Sequence, residues 1–204
     1  MLYKIFKLLF TITIKILGRY QVIGLQNIPD SGPVLVVSNH ISNWDPIMLG
    51  VAIPRQVGFL AKEELFNIPI VGFLLKAWGM IPIKRGRVGR EALAKPLELL
   101  KNGKVVGIFI EGTRNLKNPN TMLKPQPGAA MLALKSEAPV VPVAVINTNQ
   151  VLRSFKRLKV IIGKPMFFSS KDELDGLKKK EQYSQISKEI TLAIQDLKKS
   201  EGLE

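Results

Sequence analysis

The amino-acid sequence predicts an α/β fold with a single domain, in which helices flank a mostly parallel or mixed sheet. The first observation is that short, β-branched apolar runs alternate along the chain with stretches of helical periodicity. The second is the length of 204 residues, which suits one hydrophobic core, with no linker that would separate a second. The third is a hydrophobic content of 46% and a mean hydropathy of +0.14, which exclude a disordered polypeptide.

The alternating patterns give the expected order of elements. Strands are expected at Pro33–Ser38, Val57–Ala61, Met80–Ile83, Val105–Ile110, Val140–Val145 and Lys159–Ile162. Helices are expected at Pro46–Ala52, Ile70–Trp78, Gly89–Asn102, Ala129–Ser136 and Lys180–Lys199. Strands that alternate with helices in this way predict a sheet in which most neighbours run parallel.

The composition narrows the classes of function. The formal net charge is +14, which predicts a polyanionic partner such as an anionic membrane, a phosphorylated substrate or a nucleic acid. The basic residues lie among predicted strands and helices, whereas a nucleic-acid arm would carry them in a flexible polar run, so a nucleic-acid partner is not expected. The chain has no cysteine and one histidine, which excludes a disulfide scaffold, a thiolate metal site and a cysteine nucleophile. No metal site is expected.

The N-terminal segment predicts an amphipathic helix over Leu2–Leu17. Lys4, Lys7 and Lys15 fall on one stripe of this helix, and apolar side chains cover much of the remaining surface. Three lysines argue against a membrane-spanning helix, and the sequence near Gly18 offers no signal-peptide cleavage site. We expect the helix to lie in the membrane interface with its lysines toward the headgroups. The alternative is an ordinary amphipathic helix that packs on the core.

A second apolar stretch, Leu65–Ile83, contains a single charge at Lys76. Pro69 and Pro82 would interrupt a continuous helix, so the pattern predicts a helix followed by a buried strand. We expect this helix to belong to the core. The alternative is a hydrophobic wall that meets lipid or lines a channel for an acyl chain.

The only histidine, His40, follows directly after the apolar run of the first expected strand, and Asp45 comes five residues later. Functional loops of open α/β sheets gather at the carboxyl ends of the strands, where His40 is placed. A folded loop would bring the Asp45 carboxylate to the imidazole, fix its tautomer and raise the basicity of the far nitrogen. The alternative for Asp45, which precedes Pro46, is a simple helix cap.

Two further groups of polar residues follow apolar strands. Glu111, Gly112, Thr113 and Arg114 combine close backbone approach, a hydroxyl and a planar guanidinium, which together suit a phosphate. Lys84 and Arg85 end another expected strand. Each group alone fits a solvated strand end equally well. Taken together with His40 and Asp45, however, the two groups predict an acid–base pair and two cationic phosphate ligands at strand ends of one sheet.

These residues also resemble a known family. In order and spacing, they match the four blocks of the glycerolipid acyltransferases, which carry an HxxxxD motif, and most resemble the bacterial 1-acyl-sn-glycerol-3-phosphate acyltransferase group. The matching residues are His40 with Asp45, Ile83-Lys84-Arg85, Glu111-Gly112-Thr113-Arg114 and Val141-Pro142-Val143. Two departures are Ile110, where the family usually has proline, and Gln126-Pro127-Gly128, where it often has a lysine. The nearest base to that second position is Lys124.

The resemblance implies transfer of a fatty acyl group from a thioester to the sn-2 hydroxyl of lysophosphatidic acid, giving phosphatidic acid for phospholipid biosynthesis. His40 would take the proton of the hydroxyl and Asp45 would orient His40. The acceptor phosphate would be held by Arg85 and Arg114, with Lys124 as a further candidate, in a pocket shaped by Glu111, Gly112 and Thr113.

The resemblance also sets the expected partners. The donor is an acyl carrier protein or coenzyme A thioester, with no resident cofactor. Residues 1–18 would anchor the protein to the cytoplasmic face of the cell membrane as a peripheral or monotopic protein, and residues 19–204 would form the acyltransferase domain. The alternatives are an acyltransferase for glycerol 3-phosphate or another lysophospholipid, and a basic membrane-binding protein without activity.

Overall fold

Alternating strands and helices form one mixed sheet of seven strands in the computed structural model, which describes residues 2–16, 20–83, 92–151, 157–169 and 177–202. The strands are β1 (Tyr20–Ile23), β2 (Val34–Ser38), β3 (Val57–Lys62), β4 (Ile81–Ile83), β5 (Val105–Phe109), β6 (Val140–Ile146) and β7 (Leu158–Ile162). The helices are α1 (Leu2–Ile16), α2 (Asp45–Ala52), α3 (Glu63–Phe66), α4 (Pro69–Trp78), α5 (Ala94–Lys101), α6 (Gly128–Ser136) and α7 (Lys179–Lys199).

The strand order across the sheet is β1-β7-β6-β2-β5-β3-β4. Strands β6 and β7 pair antiparallel, and every other neighbouring pair of the described strands is parallel. The central strands β2 and β6 are buried along their full length, as expected for parallel strands covered on both faces. The predicted α/β fold with a mixed sheet is therefore confirmed.

Helices cover both faces of this sheet. Buried side chains of α5, α6 and α7 build the core on one face, including Leu100, Leu132 and Ile190. Buried side chains of α1 and α2, including Ile14 and Met48, build the core on the other. Because β2, β3, β5 and β6 run in the same direction, their carboxyl ends meet at one edge of the sheet, where the loops that follow them come together.

The six strands expected from the sequence are all present, whereas β1, α3 and the antiparallel direction of β7 were not expected. The helix expected at Gly89–Asn102 is shorter in the described part, where it begins at Ala94. Pro96 then lies in the first turn, where proline is tolerated because the amide there has no helical partner.

Helix α1 packs against α2 and α4 with one face. The Tyr3 hydroxyl donates to the carbonyl of Gly50 at 3.3 Å, and Phe10 meets Trp78 edge to face at 5.3 Å. The Lys7 ammonium donates to the carbonyl of Ile53, at the C-terminal end of α2. The expectation that Lys7 points to headgroups is therefore wrong, since this lysine neutralises the carbonyl end of a neighbouring helix instead. The boundary expected after Gly18 lies outside the described residues.

The expectation of a core helix within Leu65–Ile83 is wrong as well. In α4, Ile70 is 75% exposed, and Phe73 and Leu74 are also exposed, while Gly72 and Trp78 are buried. Apolar side chains therefore cover both faces of α4, and among the described residues only one of these faces packs against protein. Sequence composition could not show this, because an apolar surface reads the same whether protein or lipid covers it. Within the described part of the chain, no helix has the length and hydropathy needed to cross a bilayer.

Candidate active site

His40 and Asp45 form a hydrogen-bonded pair at the carboxyl end of β2. The Nδ1 atom of His40 lies 2.7 Å from Oδ2 of Asp45. The Asp45 side chain is fully buried, and the His40 side chain is 16% exposed. A carboxylate that accepts from Nδ1–H fixes the tautomer in which Nε2 carries the lone pair, which is the form that can accept a proton from a substrate.

The loop between these two residues closes around the Asp45 carboxylate. Oδ2 accepts hydrogen bonds at 2.8 Å from the backbone amides of Ile41 and Ser42, and Oδ1 accepts one from the hydroxyl of Thr148. The alternative interpretation of Asp45 as a helix cap does not hold, because its carboxylate bonds the loop that precedes α2, and α2 has no side-chain cap. Thr148 is a site residue that sequence reasoning missed.

The imidazole of His40 lies flat on the ring of Phe109, the last residue of β5. The two centroids are 3.8 Å apart and the planes differ by 10°. Phe109 stacks in turn on Phe59 of β3 at 5.3 Å. The register opposes Phe59 to Gly107, and a β-carbon at Gly107 would lie 2.2 Å from the Phe59 ring. The glycine thus makes the space in which this aromatic column supports His40.

The backbone of His40 is held on both sides by the segment that follows β5. Its amide donates to Oε1 of Glu111 at 2.9 Å, and its carbonyl accepts from the amide of Asn115 at 2.8 Å. The second oxygen of Glu111 accepts from the amide of Leu123 at 2.8 Å. Burial raises the pKa of Glu111, while the hydrogen bonds from Leu123 and His40 and the electrostatic effects of His40 and Lys198 oppose that shift.

Asn39, immediately before the histidine, joins the same loop to β6. Its amide nitrogen donates to the carbonyl of Val145 at 3.0 Å, and its amide oxygen accepts from the Val145 amide at 2.8 Å. The side chain is buried and satisfied at both ends. Asn39 therefore extends the pairing of β2 with β6 by side-chain hydrogen bonds. It also fixes the point at which the loop between His40 and Asp45 leaves the sheet.

A tight turn after β5 presents the next residues to solvent. Gly112 has φ of +65°, a conformation that favours glycine, and its amide donates to the carbonyl of Phe109 at 3.0 Å. Thr113 and Arg114 follow on the exposed side of this turn. The turn thus separates the buried Glu111 from an exposed arginine only three positions later.

A cavity of about 630 Å³ opens beside His40. Its polar lining residues include His40, Thr113, Arg114 and Lys62, the last residue of β3. Its apolar walls come from α1, α4 and the strand ends, including Phe6, Phe10, Leu65, Val71, Leu74, Trp78 and Ile83. The alternative expectation of a hydrophobic wall for Leu65–Ile83 therefore fits the structure.

The structure thus gathers most of the expected site residues, but not all. Arg114 lines the cavity with its neighbours in the turn, whereas Glu111 is buried behind it with both oxygens bonded to backbone amides. Lys124 is exposed and is not part of the cavity lining. Arg85 lies outside the described residues. Lys62, which directly follows the strand expected at Val57–Ala61, was missed because it belongs to none of the four matching motifs.

The cavity combines cationic and apolar groups. Among the described residues, no three acidic or histidine side chains are grouped closely enough to hold a metal ion. The arrangement supplies a proton acceptor at Nε2 of His40, positive charge at Arg114 and Lys62, and an apolar compartment. This chemistry suits a hydroxyl-bearing acceptor that combines an anionic group with an alkyl chain.

The family assignment follows from comparison with known proteins. A family model described as Acyltransferase matches residues 19–146. The chain is 36% identical to the 1-acyl-sn-glycerol-3-phosphate acyltransferase of Bacillus subtilis over 73% of this chain and 74% of that protein. It is 34% identical to the Borreliella burgdorferi enzyme of the same name over 63% of this chain, but it spans only about half of that protein, 51%.

A solved structure supports the same assignment. The crystal structure of the 1-acyl-sn-glycerophosphate (LPA) acyltransferase from Thermotoga maritima superposes with a TM-score of 0.73 and 26% identity, covering 96% of this chain and 79% of that one. The chain belongs to the acyltransferase family. The named relatives are 1-acyl-sn-glycerol-3-phosphate acyltransferases, the group that the four motifs resemble, so the expectation of an enzyme of this type is confirmed.

Proposed function

We propose that this chain transfers a fatty acyl group from a thioester to the sn-2 hydroxyl of lysophosphatidic acid, which gives phosphatidic acid. The observation that carries the proposal is the hydrogen-bonded pair of His40 and Asp45, in which His40 lines a cavity together with the cations Arg114 and Lys62 and with apolar side chains. The names of the relatives from Bacillus subtilis and Thermotoga maritima support the same acceptor.

His40 acts as the general base. Its Nε2 takes the proton of the acceptor hydroxyl as the hydroxyl oxygen attacks the carbonyl carbon of the thioester. Asp45 stabilises the imidazolium that forms. When the tetrahedral intermediate collapses, the carbon–sulfur bond breaks and the thiolate takes the proton from His40. The chain has no cysteine, and its one histidine serves the acceptor, so an acyl-enzyme is not part of the mechanism.

Arg114 holds the acceptor phosphate, and Lys62, the last residue of β3, supplies a second cation to the lining of the same cavity. Thr113 and Gly112 shape the pocket beside them. Arg85 follows β4 by two residues, and the last residue of that strand, Ile83, lines the cavity, so a role in the same phosphate site remains proposed for it. Lys124 stays a weaker candidate, since its side chain is exposed away from the lining.

The acyl chain of one substrate lies against the apolar walls of the cavity. Side chains of α4 and α1 form these walls, and a cavity of about 630 Å³ with a mostly apolar lining suits an alkyl chain. The donor is a thioester of acyl carrier protein or coenzyme A, which acts as a co-substrate. No resident cofactor takes part in the proposed reaction.

The protein reaches its lipid substrates by lying on the cytoplasmic face of the membrane as a peripheral or monotopic protein. Two neighbouring helices support this. The outward face of α1 exposes Leu2, Ile5, Leu8, Leu9 and Ile12, and the outward face of α4 exposes Ile70, Phe73 and Leu74. Burying these side chains among lipid headgroups would remove apolar area from water, and the net charge of +14 would favour an anionic surface.

The test is an acyl-transfer assay with the purified full chain. Acyl carrier protein and coenzyme A thioesters are each offered with lysophosphatidic acid, glycerol 3-phosphate and a lysophospholipid that lacks a terminal phosphate. We expect transfer to lysophosphatidic acid at the highest kcat/KM. Preference for glycerol 3-phosphate or for the other lysophospholipid would identify a sister acyltransferase instead, and absence of transfer from either donor to any acceptor would overturn the proposal.

A further inference from the structure

Lys198 brings a buried charge from the C-terminal helix to the back of the active site. Its side chain is 4% exposed, although it lies in the last turn of α7. The ammonium donates to the carbonyl of Asn120 at 2.5 Å and lies 3.5 Å from the carbonyl of Pro119. Helix α7, which begins at Lys179, lies outside the region that the family model matches, since that region ends at residue 146.

The loop that Lys198 holds, residues 115–121, starts directly after Arg114. The Asn115 amide donates to the carbonyl of His40 at 2.8 Å. The Asn115 side chain closes the loop on itself, donating to the carbonyl of Thr121 at 3.0 Å and accepting from the amide of Asn118 at 3.2 Å. One end of the loop therefore holds His40, while Lys198 holds the other.

A second link between Lys198 and His40 is electrostatic and passes through Glu111. The buried Glu111 carboxylate accepts the amide of His40 at 2.9 Å. The positive charge of Lys198 acts to lower the pKa of Glu111, against the effect of burial, and Glu111 acts in the opposite direction on Lys198. The charged groups that act on Glu111 are thus His40, on the loop after β2, and Lys198, on α7.

Apolar side chains already attach α7 to the body. Ile186, Ile190 and Ile194 of α7 are fully buried in the core cluster on that face of the sheet. A buried ammonium adds a desolvation cost to such a helix, and an apolar residue of similar size would often be as stable. Packing of α7 therefore does not explain why an ammonium group is buried at position 198.

We propose that Lys198 is a positioning residue of the active site, which fixes the loop 115–121 and places its positive charge where it acts on the buried Glu111, so that the backbone of His40 stays in its catalytic position. Lys198 does not touch substrate. It lines a separate small cavity of about 180 Å³, together with Asn147 and Asn149, rather than the cavity that contains His40. This role rests on the proposed acyl transfer, in which His40 is the general base.

The experiment compares Lys198→Met, Lys198→Gln and Lys198→Arg with Lys199→Met, which removes an exposed lysine from the neighbouring position. Thermal unfolding, kcat and both KM values are measured with the full chain, and kcat is measured across pH. In Lys198→Met we expect kcat to fall about tenfold or more, because His40 is less well positioned, while both KM values change less than about threefold. Lys198→Arg should restore most of kcat, and Lys199→Met should match the wild type.

The pH profile separates the proposed role from a merely structural one. Without the positive charge, Glu111 takes up a proton at higher pH, so the acidic loss of kcat should move to higher pH in Lys198→Met. Lys198→Gln keeps a donor for Asn120 but not the charge, so it should show the same pH shift even if Lys198→Met does not fold. A wild-type kcat and pH profile in either folded neutral variant would overturn the proposal, as would a loss confined to KM.

Failure of the acceptor assignment is recognised separately. If the wild-type chain prefers another acceptor, the variants are compared on that acceptor, and the same fall in kcat and shift in pH are expected. A wild-type chain that transfers no acyl group to any acceptor would overturn the proposed function, while an active wild type with unaffected variants would overturn only the role of Lys198.

Discussion

The hydroxyl of Thr148 donates a hydrogen bond to Oδ1 of Asp45, although 103 positions separate the two residues in the chain. Thr148 follows β6, and Asp45 follows the loop after β2, which is the neighbour of β6 in the sheet. The parallel pairing of these strands therefore brings Thr148 to the Asp45 carboxylate. Thr148 is the fourth donor to this carboxylate, which also accepts from His40 and from the amides of Ile41 and Ser42.

Thr148→Val should lower kcat while both KM values stay close to those of the wild type. The valine keeps the shape but leaves Oδ1 of Asp45 without this donor, and a hydrogen bond to a charged group is worth about 1.5–3 kcal/mol. The expected loss in kcat is roughly ten- to a hundredfold. Thr148→Ser should recover most of it. Thr191→Val, which removes a hydroxyl that bonds the carbonyl of Ser187 within α7, is the matched control. A loss equal in both valine variants would contradict the prediction.

His40→Ala should abolish nearly all turnover in a folded protein, because the chain has no second histidine. Asp45→Asn should lower kcat severely but less completely, since the imidazole is still present without its charged partner. Steady-state kinetics and thermal unfolding of both variants check this. Substantial activity in folded His40→Ala would falsify the general-base mechanism.

Arg114→Ala should raise the KM for lysophosphatidic acid much more than the KM for the donor. Loss of a charged hydrogen bond to phosphate, worth about 1.5–3 kcal/mol, corresponds to a roughly ten- to a hundredfold lower kcat/KM. Lys62→Ala should act in the same direction. Lys104→Ala removes an exposed cation directly before the start of β5, at the opposite edge of the sheet, and should leave both KM values unchanged. Equal effects on donor and acceptor would argue against a phosphate site here.

Replacing Leu8 and Leu9 together by serine should release the protein from anionic vesicles without changing its fold. Both side chains are exposed, Leu8 at 60%, and burial of each in the interface would contribute about 1.5–3 kcal/mol. Vesicle binding should fall by roughly a hundredfold or more. Deleting the whole helix is a less clean test, because Phe6 and Phe10 line the cavity.

The control for the vesicle experiment is Leu192→Ser, which changes an exposed leucine of α7. It should co-sediment with vesicles like the wild type. High salt should loosen attachment of the wild type only in part, because the apolar contribution is not screened. Unchanged sedimentation of the double variant would show that α1 is not the membrane-facing surface.

Glu111 should make the free energy of unfolding depend on pH in a defined direction. Its pKa is raised in the folded state by burial, so the folded protein binds the proton more tightly than the unfolded chain. The contribution of Glu111 to stability therefore decreases as pH rises from the ordinary pKa of glutamate through the raised value. Glu111→Gln removes this dependence. As pH rises from the ordinary pKa of glutamate through the raised value, the free energy of unfolding of Glu111→Gln should therefore increase relative to that of the wild type. Denaturant unfolding at several pH values measures the difference, and a constant difference would contradict the shift.

The fold and the reacting pair follow from local patterns in the sequence. The strand before His40 reads as a buried apolar run, and the five-residue spacing makes a contact between Asp45 and the imidazole possible within one loop, which the structure shows. The contributions of Thr148 and Lys198 could not be read in the same way. Each acts on a residue far away in the chain, and each is a common residue type whose role depends only on which strand or helix lies beside it.

The two misread helices have a shared physical reason. Hydrophobic periodicity identifies an apolar face but not what covers it, so α4 was assigned to the core although Ile70 is 75% exposed. In α1, the spacing of the lysines predicted one polar stripe, but Lys7 turns inward to the carbonyl of Ile53. A long lysine side chain can bury its stem and still find an acceptor, which spacing alone does not reveal.

The stacking of His40 on Phe109 has a spectroscopic consequence. The chain contains one histidine, so every imidazole signal in an NMR spectrum of the protein belongs to His40, the proposed general base. With the Phe109 ring stacked 3.8 Å away and nearly parallel, the ring current should shift the imidazole protons upfield of their free positions. Those resonances would follow protonation of His40 and the entry of acceptor or donor in solution without any added label.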